Sequence, residues 1–147
     1  MTSNILEKAI AIAVKAHQGQ TDKAGQAYIL HPLQVMHNVI SDEQKAGAVL
    51  HDVVEDTDLT PDDLRAQGMP KKVISIVESL TNREGEDYDQ FIDRVLHNPD
   101  AVQVKIADIE DNMDLTRLES LRDKDLQRIR KYHGALKRLK KSLPGLV

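Results

Sequence analysis

Apolar residues recur along this chain at intervals of three and four, the period of an α-helix with one buried face. Ile5, Ala9, Ile12, Ala13 and Ala16 keep that spacing after Ser3, a residue type that caps helix starts, so a helix is predicted over residues 4 to 18. The polar stretch GQTDKAGQAY then interrupts the pattern. A second helix opens at His31 and Pro32 and runs to about Ile40, and a third covers residues 42 to 56. Thr60, Pro61, Asp62 and Asp63 form a helix start: a hydroxyl accepts first-turn amides, proline presets φ, and acids favour the positive end of the helix dipole. Pro70 begins a further helix in the same manner, TNREGED reads as a polar loop, and residues 87 to 97 return to helical spacing. Asn98, Pro99 and Asp100 introduce AVQVKIADIEDNMDL, where VQVKI alternates like a strand; no partner strand is visible, so helix is expected. Leu126, Ile129, Tyr132, Leu136, Leu139 and Leu143 complete an amphipathic helix at about residues 121 to 142. The fold class is all-α, in one domain spanning residues 1 to 147, a length that buries about two-thirds of the unfolded surface.

Charge changes this picture only at the C-terminal end. Residues 120 to 147 hold nine Lys or Arg against two acids, in a chain of formal net charge -4, so the last helix carries a basic outer face. Such faces are commonly just solvated, and with aromatics at 3% no base-stacking surface accompanies this one, which argues against nucleic acid as a partner. Cysteine is absent, excluding disulfides, thiolate metal sites and a cysteine nucleophile; any metal rests on His and carboxylates. Glu7 and Lys15 interrupt the apolar N-terminal pattern, there is no signal-peptide architecture, and no apolar run reaches membrane-spanning length. A cytoplasmic protein without a membrane partner is expected; homo-oligomerisation is left open.

The densest chemistry is HDVVED at residues 51 to 56. At about 100° per residue, His51 stands over Glu55 and Asp52 over Asp56, while Val53 and Val54 point away into a core. His31 at a helix start and Asp108, with Asn112 one turn further on, add to the set. Two imidazoles and two carboxylates suit a divalent cation such as Mn²⁺, Fe²⁺ or Zn²⁺. Glu55 and Asp56, a turn beyond the His51/Asp52 pair, are near enough to orient a water or shuttle its proton. Lys23 in the first polar loop and His17 beside it are cations that offset phosphate charge. Tyr28 is read as a core residue, and His37, His97 and His133 as structural or surface positions.

Three segments in order, KAGQAYILHP, AVLHDVVEDT and VKIADIEDNM, resemble the HD-domain hydrolases of the RelA/SpoT family, in the compact form called small alarmone hydrolases. The similarity runs in register over roughly residues 5 to 118. It implies an HD-domain helical bundle, one bound divalent metal, usually Mn²⁺, and removal of the 3′-pyrophosphate from a ppGpp-type nucleotide, guanosine or adenosine. By that resemblance His31, His51, Asp52 and Asp108 are metal ligands, Glu55 and Asp56 the catalytic acidic pair, and Lys23 and Asn112 nucleotide contacts. No room remains for a synthetase domain, so synthesis is not expected. The chain also departs from the family. Asp22 stands where an arginine stacks on guanine, Ile109 and Asp111 replace a basic residue and a histidine, and Ala27 replaces a common proline. Asp22 is therefore expected to weaken base recognition and to place negative charge near the substrate. A metal-dependent phosphatase acting on another nucleotide such as NADPH, and a non-catalytic nucleotide- or partner-binding protein, are the competing readings; the full ligand set and acidic pair favour the hydrolase.

Overall fold

The computed structural model describes residues 2–144, with side chains from Ile5 onward. Its helices are α1 (Thr2–Ala16), α2 (Leu30–His37), α3 (Asp42–Leu50), α4 (Val53–Asp56), α5 (Pro61–Ala66), α6 (Lys71–Ser79), α7 (Tyr88–Val95), α8 (Pro99–Asn112) and α9 (Asp123–Lys141). Among the described residues there is no strand, only an isolated bridge between Thr21 and Ala27 across the first polar loop. None of these helices is long and apolar enough to cross a membrane.

Short-range chemistry sets most of the boundaries. Thr60 Oγ1 accepts from the Asp63 amide at 3.1 Å while Asp63 Oδ2 accepts from the Thr60 amide at 2.9 Å, a reciprocal cap that starts α5 with Pro61 at its first position. Asp87 and Gln90 form the same box at the start of α7. The Asn98 side chain caps α8 through the Ala101 amide. Pro70 occupies the cap position of α6 without a side-chain bond, one residue earlier than expected. α1 already includes Thr2, which puts Ser3 inside its first turn.

α3 is the central element, packed against α1, α2, α6 and α8. Ala46, Ala48, Val49 and Leu50 are fully buried there. Gly47 permits the approach of α6: a Cβ at this position would lie 2.6 Å from Ile76 Cγ2. α8 also runs between neighbours, touching α2, α3, α6, α7 and α9. That explains the strand-like VQVKI inside a helix. Val102, Val104 and Ile106 are all buried because apolar partners stand on several sides of α8, and the alternation carries no information about a sheet.

Two predicted helices end early. Asn38 Nδ2 donates to the Gln34 carbonyl and closes α2 after His37, leaving Ile40 exposed before Ser41 caps α3. Residues 42 to 56 are not one helix. His51 Nδ1 donates to the Ala48 carbonyl at 2.6 Å, the backbone turns at His51 and Asp52, and α4 is a single turn. The break reorients the polar stripe expected from continuous helical spacing. Val53 is fully buried, but Val54 only half-buried. α9 lies on α7 and α8 through Ala135 and Leu139, whereas Leu126, read as part of its apolar face, is 48% exposed.

Candidate active site

His31 on α2, His51 at the end of α3 and Asp108 on α8 converge, because the three helices that carry them pack on one another. One ligand atom from each lies within 4.8 Å of the others, and all three residues are buried. His31 Nδ1 donates to Asp111 Oδ2 at 2.6 Å, and His31 Nε2 lies 2.8 Å from Asp108 Oδ1. His51 uses Nδ1 on the Ala48 carbonyl, leaving its Nε2 buried without a hydrogen-bond partner, 3.3 Å from Asp108 Oδ1 and 3.1 Å from Asp52 Oδ2.

This arrangement fits a divalent cation. A neutral imidazole that donates through Nδ1 keeps a lone pair on Nε2, and here two such nitrogens face one carboxylate oxygen. Electron pairs gathered around one point need a positive charge between them. The same charges act on the protons of these groups. Burial pushes the His31 imidazole down, but its bonds to Asp108 and Asp111 outweigh this and hold it at about 9. His51 is likewise raised well above its ordinary value, the charges of Asp52 and Asp108 overcoming burial. Asp108 is held well below the usual carboxylate range, since Lys105, His51 and His31 together outweigh the opposing effect of burial. Asp52 is held at about 2, with His51 as the main force against burial.

Asp52 lies beside His51 and outside the mutual distance that joins the other three. Its Oδ2 accepts from the Tyr28 hydroxyl. Tyr28 is thus no core filler: it lines the cavity above the cluster and fixes Asp52. His17 was expected among the phosphate-facing cations, and the fold puts it elsewhere. It is 1% exposed behind Tyr28, with ring centroids 5.0 Å apart, and Nδ1 donates to Gln20.

The cavity encloses about 430 Å³. His31, Asp52 and Asp108 form its floor, and Lys23, Lys105, Arg117 and Arg128 bring cations to its wall. Lys105 Nζ donates to Asp108 Oδ2 at 2.8 Å and Asn112 Nδ2 to Asp108 Oδ1 at 3.2 Å, so the carboxylate is held from both ends. Arg128, paired with Asp125 at 2.8 Å, turns inward with Tyr132; the basic surface of α9 is therefore partly a cavity wall and not wholly an outer face. Lys105 was legible in principle, one turn before Asp108 on the same helix. Arg117, Arg128 and Tyr132 carried no such local signal.

Glu55 and Asp56 do not line this cavity. Glu55 Oε1 accepts from both the backbone amide and the side-chain amide of Asn82, in the loop between α6 and α7. That loop is clamped by Arg94, which donates to the carbonyls of Glu78, Ser79 and Thr81 and to both oxygens of Glu86. The Asp56 carboxyl is raised above its ordinary range, first by loss of solvent and then by the charge of Asp52.

Asp22 differs most from expectation. Its Oδ1 accepts from the amides of Ala24 and Gln26, each at 2.9 Å, closing the turn that Gly25 completes at a φ of +83°. Its Oδ2 lies 3.7 Å from Arg117 Nη1. The charge is internally engaged, and the repulsion expected of it toward a substrate is correspondingly reduced.

Residues 9–105 match the family profile described as HD domain. The chain belongs to the HD domain family. The match takes in His31, His51 and Asp52, and packing supplies Asp108 from beyond it. As an HD domain, the chain is 28% identical over 120 residues to the guanosine-3′,5′-bis(diphosphate) 3′-pyrophosphohydrolase of Aquifex aeolicus, covering 74% of this chain and 17% of that protein. It is 31% identical over 139 residues to the bifunctional (p)ppGpp synthase/hydrolase SpoT of Escherichia coli, covering 84% of this chain and 19% of that one. The chain thus spans about a fifth of the length of these curated relatives. A solved structure of a metazoan ortholog of SpoT, one that hydrolyses ppGpp, superposes with a TM-score of 0.74 at 22% identity, over 97% of this chain and 86% of that one; the likeness is one of fold.

Proposed function

We propose that this HD domain is a metal-dependent phosphohydrolase that removes the 3′-pyrophosphate from a ppGpp-type nucleotide, guanosine or adenosine, in the cytoplasm, with Mn²⁺ as its metal. The observation that carries this reading is the pair of buried imidazoles whose Nε2 atoms face Asp108, with His31 and Asp108 lining a cavity that also holds Lys23, Lys105, Arg117 and Arg128. The names of the curated relatives and of the metazoan ortholog support the substrate class.

His31, His51 and Asp108 would hold the ion, with Asp52 beside them. A divalent ion at such a site supplies Lewis acidity, lowering the pKa of a water and drawing charge from a phosphoryl oxygen. The chain's own residues do the rest. Lys23, Lys105 and Arg128 neutralise phosphate charge on the wall, and partial enclosure makes such contacts stronger than they would be in bulk water. Asn112 steadies Asp108 and offers an amide to the ligand. Glu55 and Asp56, which follow Asp52 on α4 outside the cavity lining, would take and return the proton through an intervening water; the Asp56 carboxyl is raised above its ordinary range by burial and by Asp52. Asn82 fixes the direction of Glu55. The test is incubation of the Mn²⁺-loaded protein with ppGpp and with ppApp while measuring pyrophosphate and orthophosphate. Pyrophosphate release is expected; orthophosphate release alone, or no turnover of either nucleotide, overturns the proposal.

A further inference from the structure

Arg117 lines the cavity beside Asp22, and its guanidinium lies between the carboxylates of Asp22 and Asp111. Its Nη1 is 3.7 Å from Asp22 Oδ2 and its Nη2 is 3.7 Å from Asp111 Oδ2. The two carboxylates come from distant parts of the chain, the first loop and the end of α8. Both distances exceed those of a formed charge-assisted hydrogen bond, about 2.7–2.9 Å, so the guanidinium is steered and not locked. Its side chain is 32% exposed and lines the cavity, as do Leu115 and Leu118.

Two physical considerations define what such a group can bind. With both terminal nitrogens directed at carboxylates, the part of the guanidinium left for a ligand is its planar face. With two negative charges beside one positive, it is also a poor anchor for a phosphate, a task for which Lys23, Lys105 and Arg128 are at hand. A flat cation in a cavity that two leucines also line suits a flat, polarisable ring.

We propose that Arg117 is the specificity-determining residue for the nucleobase, its guanidinium face lying against the purine while Asp22 and Asp111 hold it in place. This rests on the reading of the cavity as a nucleotide site. Position 22 is an acid, and the cation beside it comes from Arg117; Asp22 orients that cation, which reverses the effect expected of its charge.

The test is a set of binding titrations, independent of turnover, on the metal-loaded protein and its Arg117→Ala and Arg117→Lys variants, with guanosine 5′-diphosphate and inorganic pyrophosphate as probes. Both substitutions should weaken guanosine 5′-diphosphate about two- to thirtyfold, the range of a cation on an aromatic face, and leave pyrophosphate unchanged. Lysine keeps the charge but not the plane, so restored affinity in Arg117→Lys, or parallel weakening of pyrophosphate, would make Arg117 a phosphate anchor and overturn the proposal. Unchanged affinity in Arg117→Ala overturns it as well, as does a parent protein that binds guanosine 5′-diphosphate no better than pyrophosphate. Metal content, read alongside, should be the same in all three proteins. If the base-dependent loss appears in a protein that does not hydrolyse ppGpp, the hydrolase reading falls while the assignment of Arg117 stands.

Discussion

Replacing Asp111 by alanine removes the acceptor that holds His31 Nδ1 at 2.6 Å and leaves the ring tied only at the nitrogen that faces Asp108. Carboxylates that accept from the far nitrogen of a metal-binding histidine fix its tautomer and raise its basicity, and their loss costs about 10- to 100-fold in metal affinity. On the free-energy scale that is about 1.4–2.7 kcal/mol. A second effect opposes it. Asp111, with Asp108, also holds the His31 imidazole at about 9, so near neutral pH an arriving ion must displace a proton that Asp111 stabilises. Deleting the carboxylate relieves that competition. The two effects separate by pH: from about 6.5 to about 10 the ring passes through its titration at about 9, beyond which the proton leaves unaided and only the loss of support remains. The affinity ratio between parent and Asp111→Ala should therefore be small at the acidic end and grow towards its full value at the alkaline end. Competition of Mn²⁺ between protein and a chelator of known affinity, repeated across that range, measures the ratio directly. Asp111→Asn, which keeps an oxygen for Nδ1–H, should fall between the two. Equal affinities for parent and Asp111→Ala at the alkaline end would refute the role assigned to Asp111.

Asp108→Ala should lose most bound metal while circular dichroism stays helical, because the substitution removes the one carboxylate oxygen faced by both imidazoles; full metal stoichiometry in that variant would contradict the assignment. Glu55→Gln and Asp56→Asn should each lower turnover by about 10²- to 10⁴-fold, the usual range for acid–base groups, with metal content retained; near-normal turnover in either would leave that residue structural. Arg94→Ala should lower the melting temperature and, by loosening the loop that carries Asn82, reduce turnover as well. Its pH dependence adds a check. The hydrogen bonds from Arg94 hold the Glu86 carboxyl at about 2, below its ordinary 4.5. A depressed carboxyl contributes stability above its unfolded value and loses it as pH falls through the folded one. Acid melts of the parent should show this loss between about pH 4.5 and 2, and Arg94→Ala should not.

Local chemistry was legible in the sequence, and so was the set of residues that meet at the cluster. The cap at Thr60 depends on residues three apart and formed as its spacing requires, and the same spacing makes the box at Asp87 and Gln90. His31, His51 and Asp108 were identifiable because each sits within a segment that resembles the family, even though 77 positions separate the outer two. The break after Leu50 was not legible. Nothing in HDVVED announces that the His51 ring takes a carbonyl of its own helix, and once it does, Glu55 and Asp56 leave the line that continuous helical spacing would give them. The inward turn of Arg128 was hidden for a related reason. On a helix as basic as α9, composition cannot tell a solvated cation from one that closes a cavity; the packing of α9 on α8 decides it.

Asp22 and Asp111 carry this point furthest. Taken singly, each is a negative charge where a relative has a basic or neutral group, and each predicts weaker handling of a polyanion. In the folded chain neither charge acts alone. Asp22 satisfies two amides of its own turn and faces Arg117; Asp111 holds His31 and faces the same Arg117. Two apparent losses of recognition thus become one connected chain, running from the first loop through a guanidinium to a histidine of the candidate metal centre. An acid that would repel a phosphate in isolation instead orients the cation beside it, because at these separations in a partly enclosed cavity the nearest charge outweighs the more distant one. The sign of a substitution in this site is set by its neighbour, which is why Asp22→Arg would disrupt its turn and release Arg117 together, and why Arg117 is the position at which base recognition can be probed cleanly.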